Sequence, residues 1–374
     1  MWSPFAWKVK GGVKMKKFFS VFGFLLVLLT GPCVAAPAAG EASEAPLDIK
    51  EMVFEHIGDS YEFHIGKWGD TEVTVPLPVI VRGLDGRWHA FLSSRFRQSA
   101  AGEDDGFYLS REGEYKGKVV ERNPETGQEA RPFDLSITKT VFALLLNSTL
   151  LCVLILWLAR LAKKSPEKTR RGLAGAVMLL VTDIEDSVIK PAMGEDYRRY
   201  SPYLLTVFFF IFFNNLTGLI PIFPAGANVT GNIAVTFVLA LCTFLVTAFS
   251  GCRHYWKEIF WPDVPLAMKP LMIPVEIVGM FTKPFALMIR LFANMMAGHT
   301  VIFCMMALIF ITATMHPVVN GSMTVVSVLF SMFMYVLELL VAYIQAYVFT
   351  MLSAVFIGQA LEGRRKKDKV CQTN

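Results

Sequence analysis

The sequence predicts an all-α polytopic membrane protein: five membrane helices plus an amphipathic interfacial helix, a long tilted C-terminal helical hairpin, and a small β-containing outer-side module near the N-terminus. Three observations carry this. Hydrophobic residues make up 54% of the chain and the mean hydropathy is +0.47, too apolar for one soluble core. The apolar residues are gathered into runs long enough to cross a bilayer. Residues 37–132 differ in composition, with short alternating runs and turn signals in place of long apolar ones.

The net charge of +5 and the pI near 8.8 follow from basic residues beside the apolar runs. That distribution fits the positive-inside rule and a lipid bilayer as partner, with no nucleic acid implied.

Taken in order, residues 1–36 read as a signal peptide. Met15-Lys16-Lys17 precede the apolar run 18–29 and the small residues Val34-Ala35-Ala36, and cleavage is expected after Ala36. Residues 1–14 add nothing a signal needs, so Met15 reads as the biological start. The module at 37–132 has strand-like runs at 61–65, 72–81, 88–92 and 106–109, with Asp85-Gly86 as a hairpin turn. It holds none of the six cysteines and must rest on an apolar core or on neighbouring subunits. No cysteine pair has metal-ligand spacing, and no metal or cofactor is expected.

The membrane domain spans 133–363. Its first span is predicted at 141–159 and ends in the basic loop 160–171, expected on the cytoplasmic side. Residues 172–193 interleave apolar positions with Asp183, Glu185, Asp186 and Lys190, the pattern of an amphipathic helix at the interface or against a partner. The second and third spans fall at 203–222 and 231–249, and Asn214-Asn215 read first as hydrogen-bonding glue between helices. The tail 364–374 is basic and expected to be cytoplasmic.

The last two spans carry charge where charge is costly. Arg290 lies in the apolar stretch 285–311, at a cost of about 2.5–3.5 kcal/mol at a helix centre. Its guanidinium stays protonated, so it can hold an electrostatic barrier or pair with a carboxylate but cannot relay protons. Lys269, Glu276, Lys283 and Arg290 recur every seventh residue, as do Glu338 and Gln345, so each set makes one stripe on a helix. Pro270, Pro274 and Pro284 signal a bend or a late helix start. An antiparallel hairpin folding at 316–321 would set Arg290 level with Gln345, and His299 level with Glu338 about 10–14 Å further outward. Arg290 and His299, nine residues apart, stand about 180° apart on a straight helix and so serve different surfaces.

Three ordered motifs carry a resemblance: residues 290–299 (RLFANMMAGH), 345–352 (QAYVFTML) and 213–221 (FNNLTGLIP). They resemble subunit a of F-type ATP synthases, over about 133–363. The resemblance implies a bacterial inner-membrane subunit working against a c-ring and b-type stator subunits, with no catalysis of its own. By the same resemblance Arg290 faces the ring carboxylates between two half-channels, with Gln345 and Asn294 as polar neighbours. Glu276 and Lys283 lie toward the cytoplasmic half-channel, and His299 with Glu338 forms a proton relay at the outer side. Gly218 departs from relatives that carry an acid there. The ion is expected to be H⁺, with Na⁺ as the alternative. A self-contained secondary transporter would show internal repeats, and an intramembrane metalloprotease would need a His-Glu-x-x-His motif. The sequence has neither, nor a Walker A motif.

Overall fold

A computed structural model describes residues 58–372 apart from 69–70, 99–102, 105, 111–114, 116, 123–128, 165–171, 221–225, 227, 262–264, 266–267 and 314–316. The expected signal peptide, the extension before Met15 and most of the basic loop after the first span lie outside the described residues.

Among the described residues the module has three small antiparallel sheets. One pairs β1 (Glu62–Trp68) with β2 (Thr71–Pro76). The second has the order β4-β3-β9, with β3 Pro78–Arg82, β4 Trp88–Leu92 and β9 Phe133–Asp134. The third runs β5 (Glu103–Asp104), β6 (Phe107–Leu109), β7 (Val119–Arg122) and β8 (Glu129–Ala130). The run 72–81 is therefore two strands in different sheets. Between Pro76 and Pro78 the buried Leu77 exchanges bonds with Ser93, its N–H going to the hydroxyl at 3.1 Å and its carbonyl accepting the Ser93 N–H at 3.0 Å.

The turn at Asp85-Gly86 joins β3 to β4 as its residues require. Gly86 sits at φ +77°, and Asp85 accepts the Arg87 N–H at 2.9 Å. That backbone bond holds the Asp85 carboxyl below its ordinary range. Val79 and Val81 point inward with period two and pack with Tyr61, Phe91, Phe96, Phe107 and Val119.

Backbone donors tie the first membrane helix, α1 (Lys139–Lys164), to the start of the module, and a side-chain bond holds β9, the strand just before that helix, to the same place. The Tyr61 hydroxyl donates to Asp134, and burial together with that carboxylate pushes the phenol well above its ordinary value. Asp59 accepts the Thr140 N–H at 3.0 Å and the Ser60 carbonyl accepts the Lys139 N–H at 2.8 Å, so two free donors of the helix start are satisfied from across the fold.

Among the described residues, five helical stretches are long and apolar enough to cross a membrane: 139–163, 174–218, 233–250, 269–309 and 319–361. This is a multi-pass membrane protein. The second stretch is not one rod. It comprises α2 (Gly172–Ile184), a π-helical turn (Glu185–Ile189), α3 (Lys190–Met193) and, past Gly194 at φ +55°, α4 (Tyr197–Gly218). Pro191 would lose its bond to Ser187 and crowd that carbonyl in a regular helix, and the wider π turn makes room for it. Ile184, Val188, Ile189 and Met193 are buried in one core with Ala354, Ile357 and Leu361, while Asp183, Asp186 and Lys190 face out, as the amphipathic pattern predicts.

Helix α5 (Ile233–Ser250) is capped by Asn232, whose side chain accepts the Ala234 N–H at 3.0 Å. The short α6 (Arg253–Phe260) leads toward α7 (Lys269–Ala313) and then α8 (Pro317–Gln372). α7 begins at Lys269 despite Pro270 and continues through Pro274 and Pro284. With 45 and 56 residues these last helices are about 68 and 84 Å long, far beyond a roughly 30 Å hydrocarbon core. Of the turn expected at 316–321, residues 317–321 are helical instead: α7 ends at Ala313, and Pro317 opens α8 at the position where a missing N–H costs nothing.

Candidate functional site

The site is a ladder of polar contacts between α7 and α8, with one exposed arginine beside it. Near the hairpin turn, His299 Nε2 stands 3.7 Å from Glu338 Oε1. Glu338 is only 4% exposed, and neither of its oxygens has a hydrogen-bond partner among the described residues. Gly298 makes this possible, because a Cβ there would stand 2.8 Å from Glu338 Oε1 and 3.1 Å from Cδ.

Further along, Asn294 Nδ2 donates to Gln345 Oε1 at 2.6 Å, with Gln345 buried. Lys283 Nζ then donates to Gln359 Oε1 at 3.3 Å and lies over the Phe356 ring, 5.4 Å from its centroid.

Arg290 is exposed on the flank of α7. It lines a groove with Thr282, Lys283, Ala286, Leu287, Leu352 and Phe356. The hairpin arithmetic expected it opposite Gln345. The structure gives that position to Asn294, one turn further on, and sets Arg290 beside Leu352 and Phe356. The expected separation of faces holds: Arg290 points out of the chain, while His299 is half-buried against Glu338. Lys283 and Arg290 share the groove, as their seven-residue spacing requires. Glu276, half-buried one step earlier on the stripe, lies near Tyr255. Burial, and after it the Glu276 carboxylate, pushes that hydroxyl above its ordinary value.

Behind the ladder lies a second polar layer. Asn147 of α1 donates to Asn214 at 3.2 Å and to Thr217 at 2.9 Å. Asn215 accepts the Thr230 hydroxyl at 2.7 Å and donates to the Ala342 carbonyl at 3.5 Å. The two adjacent asparagines thus reach opposite ways, one to the first span and one to the last helix, as glue between helices.

Sequence reasoning missed Gln359, Gly298, Asn147 and Thr230. Gln359 had a signal, since it lies on the heptad stripe through Glu338 and Gln345. Gly298 had none, because nothing in one sequence tells a glycine that makes room from one that does not.

A comparison of the whole chain with known families sets this geometry in context. Residues 144–358 match the family described as ATP synthase A chain. The chain belongs to the ATP synthase A chain family. All seven residues singled out above (Glu276, Lys283, Arg290, Asn294, His299, Glu338 and Gln345) fall inside that match. Residues 52–135, which hold the β-module, match a separate family described as a domain of unknown function (DUF8433).

Among relatives in the ATP synthase A chain family, ATP synthase subunit a of Myxococcus xanthus is 46% identical over 257 residues, covering 66% of this chain and 81% of the relative. ATP synthase subunit a 2 of Chlorobaculum tepidum is 45% identical over 238 residues, covering 62% of this chain and 65% of the relative. ATP synthase subunit a of Chloroherpeton thalassium is 42% identical over 238 residues, covering 62% and 69%.

Proposed function

We propose that this chain is the static proton-channel subunit of a bacterial F-type ATP synthase, coupling proton flow through two half-channels to rotation of a c-ring. One observation carries the reading. Arg290 stands exposed on an apolar helix of membrane length, away from the buried His299/Glu338 pair. A permanent cation on such a surface calls for an anion from outside the chain, and a carboxylate on a passing ring supplies it.

In this reading Arg290 attracts each deprotonated ring carboxylate and blocks direct passage of protons between the half-channels. Asn294 and Gln345 hold the polar ground beside it. Glu276 and Lys283 flank the cytoplasmic half-channel, and His299 with Glu338 exchanges protons at the outer one. The module then lies in the periplasm and the C-terminus in the cytoplasm, across the bacterial inner membrane. The c-ring and b-type stator subunits are the partners. Phosphoryl transfer belongs to other subunits, in keeping with the missing Walker A motif.

ATP-driven proton pumping in inverted vesicles bearing Arg290→Ala tests this, in Na⁺-free buffer and with assembly of the complex verified. The expected result is an assembled complex that does not pump. Normal pumping by the variant overturns the assignment, and pumping by the parent only when Na⁺ is supplied replaces the ion.

A further inference from the structure

The β1–β2 hairpin does not stand apart from the membrane helices. Val75 of β2 packs against a small core formed by Ala143 of α1 and Val229, with Phe142, Leu144 and Val235 around it. Val229 precedes Thr230, which is fully buried and donates to Asn215 at 2.7 Å. Asn215 in turn donates to the carbonyl of Ala342, one helical turn along α8 from Glu338. Glu338 has no hydrogen bond of its own among the described residues, so its place beside His299 depends on where α8 is held.

We infer that Asn215 is a positioning residue that fixes α8 so that Glu338 meets His299, and that the β1–β2 hairpin keeps Asn215 in place through the loop carrying Val229 and Thr230. The inference rests on the proposed function only for its consequence; the placement itself stands on the contacts. Asn215 suits the role because its amide offers an acceptor to the loop and a donor to the helix at the same time. A hydroxyl or an apolar side chain of that size cannot make both bonds along the same two directions. The hairpin contributes by covering: with Val75 against Val229, the loop cannot swing away from α4 without opening an apolar contact.

The test measures placement directly. A Cβ at position 298 stands 3.4 Å from Glu338 Cγ, which brings Gly298→Cys and Glu338→Cys within reach of a disulfide. In the assembled complex, with native cysteines replaced by serine, the yield of that disulfide under a mild oxidant is compared across backgrounds. Asn215→Leu and Thr230→Val are expected to lower it at least threefold, and Thr230→Ser, which keeps the hydroxyl, to restore it. Val75→Asn, which leaves the membrane helices untouched, is expected to lower it as well.

Parental yield in Thr230→Val overturns the positioning role even if Asn215→Leu fails to assemble. Parental yield in Val75→Asn removes the hairpin from it. Because both cysteines replace the residues they probe, the yield is independent of proton conduction. A failure of the proposed function would appear in the Arg290→Ala vesicles instead.

Discussion

An alanine at position 298 would press its Cβ to 2.8 Å from Glu338 Oε1, a separation that Cβ atoms do not adopt, so the carboxyl must move. Among the described residues no hydrogen bond holds it, so the shift is expected to disturb its 3.7 Å approach to His299. Gly298→Ala is therefore expected to leave the complex assembled but to lower proton conductance of the stripped membrane sector about tenfold, equivalent to about 1.4 kcal/mol on the barrier. A passive proton-flux assay checks it, and unchanged flux would show that the carboxyl position at Gly298 does not limit transfer.

Charged residues of this kind were legible in the sequence because a charge in an apolar run stands out and a seven-residue spacing survives on any helix. Contact partners were less legible. From the His299/Glu338 pair to the Lys283/Gln359 pair, α8 advances 21 residues while α7 retreats 16. The difference, about 7.5 Å of helix rise, is taken up by inclined axes and long side chains, which level-pairing arithmetic leaves out. Asn294 thereby takes the partner expected for Arg290.

At the scale of elements, two glycines in the last helices give opposite expectations. A Cβ on Gly358 of α8 would stand 2.5 Å from the backbone carbonyl of Ala192 on α3, and backbone cannot step aside. Gly358→Ala is expected to cost about 1–3 kcal/mol by overpacking and to reduce the amount of intact subunit in the membrane. A Cβ on Gly279 of α7 meets nothing within 4 Å, so Gly279→Ala should stabilise the helix by about 0.5–1 kcal/mol. Thermal inactivation of the solubilised complex ranks the two, and equal midpoints would deny that α3 and α8 meet backbone to backbone.

The helices themselves were readable from apolar length and periodicity, down to the exposed acids of the α2–α3 stretch. The prolines misled in both directions. Pro274 and Pro284 lie inside α7, where other contacts can satisfy the carbonyls they free, and Pro317, read as part of a turn, starts a helix. Strands of two to four residues such as β5, β8 and β9 are too short to show alternation, and the run 72–81 hid a change of sheet at Leu77.

Across the whole molecule, the strand that leads into the bundle is held by specific bonds, and one of them, from Tyr61 to Asp134 of β9, titrates. The Tyr61 hydroxyl is raised above its ordinary 10.0 by burial and by Asp134, so the folded chain keeps that proton longer than the unfolded one. Its contribution is complete below pH 10 and is lost as pH rises beyond it. Tyr61→Phe is expected to remove about 1.5–3 kcal/mol of local stability at neutral pH and to flatten the loss above that value. Limited proteolysis of the module in the full complex at graded pH reads both effects. Identical digestion of variant and parent throughout would mean that the Tyr61–Asp134 bond is not what holds β9 to the start of the module.

The cap on α1 has a consequence for the order of events when the chain is made. Thr140 takes its acceptor from Asp59, 81 residues earlier. A nascent chain whose first apolar span has already left the ribosome still lacks that acceptor until the preceding strands have come together. The start of the first span is thus completed by a bond that only the folding of the preceding strands supplies, and a chain stalled before that step would leave the Thr140 N–H without this acceptor and the helix end frayed.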